Sequence, residues 1–199
     1  MIPSSIMLIG NNVFYECENI NYVIFLNETS KMPNINKTQT IIGDYAFFGC
    51  KSIKFVKFLN ESSIQSIGKK AFSHCSSLES FLLPSFIKSI EEKTFYNCSK
   101  LTSFIIPKNS SLISIGIQAF GSCNKLESFE LPKDVNSIGI FAFEHCIKLK
   151  KFYYYGIKEP IIKDSFSGCI DLNEIYVTNS YLNNSFGDLK INVISSRRE

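Results

Sequence analysis

The stretch SIGIQAFGSCNKLESFELP, residues 114–132, places a phenylalanine three residues before a cysteine, then an alternating apolar run that a proline ends. The same order returns in SIGKKAFSHCSSLESFLLP, residues 66–84. Its frame is Phe-x-x-Cys-x-x-(Leu/Ile)-x-x-(Phe/Val/Ile)-x-(Leu/Ile/Phe/Val/Tyr). It occurs seven times, starting at Phe14, Phe47, Phe72, Phe95, Phe120, Phe143 and Phe166. All seven cysteines fall in it, at 17, 50, 75, 98, 123, 146 and 169, with separations of 33, 25, 23, 25, 23 and 23 residues. The basic period is therefore 23. Two extra residues lie within 60–64 and two within 109–113, and a polar insertion occupies 29–38. Self-similarity at a fixed period of this size is the mark of stacked repeats.

The physics of one unit follows from its pattern. LESFLLP alternates as a short strand with one buried face does. Pro84, Pro107 and Pro132 close the strand segment, because proline cannot donate to a ladder. An apolar pair precedes each phenylalanine, as in Ile87 and Ile90, Leu112 and Ile115, Val135 and Ile138. A glycine often follows, at 68, 116 and 139. The chain is expected to return through a turn at Ile-Gly and a short helical turn around Ala-Phe-x-x-Cys. No single unit can bury its own apolar face, so stability comes from the interfaces between neighbours.

The two quoted stretches resemble the BspA-like class of leucine-rich repeats, whose 23-residue unit reads L-x-x-I-x-L-P-x-x-I-x-x-I-G-x-x-A-F-x-x-C-x-x. The resemblance covers roughly residues 2–177. It implies an α/β repeat solenoid, a leucine-rich-repeat array of seven units with a parallel β-sheet on the concave face. It also implies adhesion or protein recognition, with no catalytic motif to carry over. Departures lie towards the ends: Tyr155 stands where other units have the closing proline, and the first two units lack it too.

Composition narrows the function further. The 199 residues carry a net charge of +3 with 20% charged residues of both signs, which lacks the basic stripe of a nucleic-acid binder. No apolar run is long enough to span a membrane, and the N-terminus lacks a basic segment ahead of its short apolar stretch. The cysteines read as one small buried thiol per unit, since a row of single cysteines does not converge on a metal. His74 and His145 fall at a frame position held elsewhere by Glu16, Gly49, Asn97, Ser122 and Gly168, which reads as a solvent position. There is no nucleophile elbow and no phosphate loop, so neither an enzyme nor a cofactor is expected.

The informative positions are those that point away from the core on the strands. One outward column reads Ile24, Lys57, Leu82, Ile105, Glu130, Tyr153, Tyr176, and the flanking one Tyr22, Phe55, Ser80, Ser103, Ser128, Lys151, Glu174. Apolar residues recurring on an outward face point to a protein-contact patch. Tyr153, Tyr155, Tyr176 and Lys151 form an aromatic and charged cluster of the kind that anchors interfaces. The expected partner is a protein. The resemblance places that role on a cell surface. The missing signal and free thiols favour an intracellular scaffold instead.

The two ends differ. Residues 178–199 are expected to close the array, with Tyr181, Phe186, Leu189, Ile191 and Val193 folding over the last unit and SSRRE forming a frayed tail. Ile2-Pro3 matches Leu83-Pro84, so the chain begins inside a unit, and an open solenoid end is expected to be covered by a second copy or by further chain. Six Asn-x-Ser/Thr sequons occur, at 27, 36, 60, 97, 109 and 183, and matter only on entry to a secretory pathway.

Overall fold

The computed structural model describes residues 1–3, 5–26, 40–59 and 64–194. The polar insertion, the extra residues at 60–63, the tail at 195–199 and the sequons at 27, 36 and 60 lie outside them. Each unit contributes one strand to a long face and a second, shorter strand to an adjoining one. On the long face lie β2 (Tyr22–Phe25), β4 (Phe55–Phe58), β6 (Ser80–Leu82), β8 (Ser103–Ile105), β10 (Ser128–Leu131), β12 (Lys151–Tyr154), β14 (Glu174–Thr178) and β15 (Lys190–Ile194). The short strands are β1 (Leu8–Ile9), β3 (Thr40–Ile42), β5 (Ile64–Ile67), β7 (Ser89–Ile90), β9 (Ser114–Ile115), β11 (Ser137–Ile138) and β13 (Ile161–Ile162). Every pairing between these strands is parallel, as a coil that always turns the same way requires.

The core consists of stacked columns. The seven frame phenylalanines lie ring over ring, with successive centroids 5.0, 5.2, 5.7, 5.5, 5.2 and 5.5 Å apart from Phe14 to Phe166. A second column, Phe81, Phe104, Phe129 and Phe152, comes from the strands and stacks at 5.7 Å per step. The two columns meet edge to face, as Phe120 and Phe129 do at 5.0 Å and 66°. Both arrangements are favoured by the ring quadrupole and add to the burial of each side chain. Alanine, leucine and isoleucine columns fill the remaining space, and Phe72, Phe95, Phe120 and Phe143 are fully buried.

The turn side differs from expectation. No helix occurs among the described residues. Two residues flank each frame phenylalanine at a distance of two, and both are left-handed in every unit: Lys93 and Asn97 around Phe95, Gln118 and Ser122 around Phe120, Phe141 and His145 around Phe143. The N–H groups of Lys93, Phe95 and Asn97 then point sideways and donate to the carbonyls of Ile117, Ala119 and Gly121 in the next unit, at 2.9, 2.8 and 2.7 Å. A helix would have turned those donors back along its own segment. The left-handed residues trade about 1 kcal/mol of local strain each for a ladder between units.

Residues beyond Val177 lie against the last frame. Phe186 is buried, with its ring 5.3 Å from Tyr154 and 6.5 Å from Phe166. β15 pairs with β14 from Glu174↔Lys190 to Thr178↔Ile194. Val193 continues an inward column but is 63% exposed, because no strand among the described residues stacks beyond it. At the other end Ile2 bridges to Phe25, and Phe14, Cys17 and Ile20 are only half-buried.

Candidate interaction surface: the strand face

The pleat of the long strands sorts their side chains. Val56 and Phe58 of β4 enter the core while Phe55 and Lys57 face out, and the other units repeat this alternation. Register then brings the outward residues side by side. Tyr22 lies opposite Phe55, and Ile24 opposite Lys57. Ser80 lies opposite Ser103, and Leu82 opposite Ile105. Ser128 pairs with Lys151, Glu130 with Tyr153, and Tyr153 with Tyr176. Both outward columns read from the sequence therefore run across the face as continuous rows within each sheet.

The rows change character along the molecule. In β2–β8 they are largely apolar: Tyr22 and Phe55 stack at 5.6 Å and 7°, and Leu82 and Ile105 follow, all exposed, with Ser80 and Ser103 in the flanking row and Lys57 as the one charge. In β10–β15 they are amphipathic. Tyr153 and Tyr176 stack at 5.0 Å, the Tyr155 hydroxyl donates to Glu130 Oε2 at 3.2 Å, and the Asn192 amide donates to Glu174. The structure thus brings Tyr153, Tyr155, Tyr176, Glu130 and Lys151 into one patch, with Tyr22, Ile24 and Phe55 at the far end of the face.

Between these regions the face is interrupted. Among the described residues no ladder joins β8 to β10, although β10 resumes regular pairing with β12. A hollow of about 230 Å³ opens there, lined by Thr102, Ser103, Phe104, Ile105, Ser128 and Glu130. The Phe104–Phe129 stack below it keeps the same 5.7 Å step, so the break is confined to the surface.

The frame cysteines are bonded within the core. Each thiol from Cys50 onward donates to the carbonyl of the preceding frame phenylalanine, as Cys75 does to Phe47 at 3.2 Å and Cys98 to Phe72 at 3.2 Å. That carbonyl also accepts the backbone N–H of its own unit's cysteine, so the thiol fills its second lone pair. Burial pushes Cys50 up to about 11 and raises Cys75, Cys98 and Cys123. These thiols stay protonated and unreactive at neutral pH. Among the described residues no three metal-ligating side chains come together.

His74 departs from the solvent position expected of it. It is half-buried on the turn side, between Phe48 at 5.2 Å and Tyr96 at 5.6 Å, and the Asn97 amide donates to its Nδ1 at 3.0 Å. Burial and then the charge of Lys51 lower its pKa. Tyr15, Tyr45 and Phe48 extend this aromatic band. Its members sit just after and just before the frame phenylalanine, where the frame specifies nothing, so the repeat pattern gave no signal of it. His145, at the equivalent position, is exposed.

The family comparison fits this geometry. The model of the BspA type leucine rich repeat region matches residues 1–35, 24–113 and 108–196, in six copies. The chain belongs to this family. Among solved structures, a Treponema pallidum leucine-rich repeat protein is 28% identical, with a TM-score of 0.63 over 79% of this chain and 72% of that one. A leucine-rich repeat protein from Bacteroides ovatus is 22% identical, with a TM-score of 0.54 over 94% of this chain and 57% of that one. No curated protein matches the chain significantly. BspA-type repeats are protein-interaction modules, generally without catalysis.

Proposed function

We propose that the strand face is the surface through which this chain recognises a partner protein, and that it acts as an adhesin at a cell surface. The observation that carries the reading is the contrast across each long strand. Inward positions are packed, while Tyr22, Phe55, Leu82 and Ile105 stay exposed in adjacent rows where solvated strands normally place polar residues. Aromatic rings with a carboxylate and an ammonium at the other end supply anchors of the type that dominate binding. Within residues 178–194, β15 extends this face by one further strand.

The test uses a photo-crosslinking residue at Ile105, at Tyr153 and, as a control, at Ile117 on the turn side. Crosslinks from the two strand positions on intact source cells, and none from Ile117, are expected. Crosslinks only in cell extracts would move the partner inside the cell, to the scaffold role that the thiols favour. The triple variant Lys151→Ala, Tyr153→Ala, Tyr176→Ala should keep its circular dichroism and lose partner capture by at least about tenfold. Undiminished capture by a folded triple variant overturns the assignment of the face.

A further inference from the structure

We infer that the hollow between β8 and β10 is a receptor for one basic side chain, lysine or arginine, of the partner protein; this rests on the strand face being the binding surface. The chemistry of its walls is one-sided. Glu130 is the single acid of the middle outward column, and it is exposed at the rim. The Tyr155 hydroxyl steadies its carboxylate at 3.2 Å. The hydroxyls of Ser103 and Ser128 line the same hollow and have no partner among the described residues, so both are available as acceptors. Ile105 forms an apolar wall and Phe104 lies at the base. An apolar wall and base rimmed by a carboxylate and hydroxyls complement an aliphatic stem that carries a cation.

The neighbours support the same sign. Tyr153 lies in register with Glu130 and stacks on Tyr176, which presents ring faces beside the carboxylate. Lys151 is opposite Ser128, two residues off register from Glu130, and its row continues with Glu174 and then Lys190. In that row Glu174 stands on one side of Lys151 and Ser128 on the other. The interrupted ladder is what makes room. With β8 and β10 paired, the cross-strand neighbours would close over the space that the hollow occupies.

Blocked amino acids test this without the natural partner. N-acetyl arginine methylamide and its lysine and glutamate counterparts are titrated into labelled protein, and the amide signals of Ser103, Ile105, Ser128 and Glu130 are followed. The basic probes should shift them saturably, the glutamate probe should not, and Glu130→Gln should weaken the response by about tenfold, the worth of one charged hydrogen bond. Glu130 is exposed, so this variant should keep the wild-type spectrum elsewhere. Equal shifts by all three probes, shifts elsewhere only, or an unchanged response in Glu130→Gln overturn the inference. If crosslinking at Ile105 and Tyr153 succeeds while Glu130→Gln changes nothing, the receptor fails and the face stands. If crosslinking fails, the face falls and the titration still decides the hollow.

Discussion

The turn side and the strand side of each unit solve the same stacking problem in opposite ways. On the turn side, backbone donors of each unit reach the next, three per unit from Phe14 to Phe120 and two around Phe143, and they include Lys93, Gln118 and Tyr45 whatever side chain stands there. On the strand side, pairing stops between β8 and β10 while the rings beneath keep their spacing. The difference teaches that backbone geometry on one side holds the stack in register. The other side is thereby free to vary its outward residues and even to open.

The most direct way to break this comparison is to remove what both sides share. Phe120→Ala deletes a buried ring that touches Phe95, Phe104, Phe129 and Phe143, and should cost about 3–5 kcal/mol in chemical denaturation. A substitution on the open strand side, such as Ser103→Ala, should cost less than about 0.5 kcal/mol. Comparable losses for the two would refute the claim that the break lies only at the surface.

Smaller changes sharpen the contrast. Cys98→Ala leaves the Phe72 carbonyl without its second donor and should destabilise by about 1–3 kcal/mol, whereas Cys98→Ser should retain part of that. The buried thiols also give an alkaline signature. Their native pKa values lie above the unfolded value near 9, so the native state holds more protons in that range. Stability should therefore be intact below about pH 8.5 and fall as pH rises towards 11, and a serine in place of Cys75 should flatten the fall in a thermal-melt series. Least of all, Ser122→Gly relieves a left-handed residue on the turn side and should raise stability by up to about 1 kcal/mol. A loss there would mean that the serine side chain, not the backbone, holds that turn.

The sequence carries the fold because core columns demand the same residue at the same place in each unit. Phe120, Cys123, Leu126 and Phe129 are legible for that reason, and so are the outward columns that alternate with them. The left-handed pairs are not legible, since Glu16, Tyr45, His74 and Phe141 all occupy them and the strain is set by neighbours rather than by residue type. The break beside β8 leaves no trace either: Ser103 and Ser128 look as regular as Ser80. The pairing of β15 with β14 lies beyond the periodic frame, where KINVI shows only a short alternation.

The thiol of each frame gives the molecule an internal counter. From Cys50 onward, a unit that opens exposes one sulfur to an alkylating reagent, and a unit that stays closed hides its own. The number of labels on a single chain after a brief pulse therefore reports how many units came apart together. A population split between few labels and all of them would describe an array that melts as one body. A smooth ladder of masses would describe one that unzips from an end.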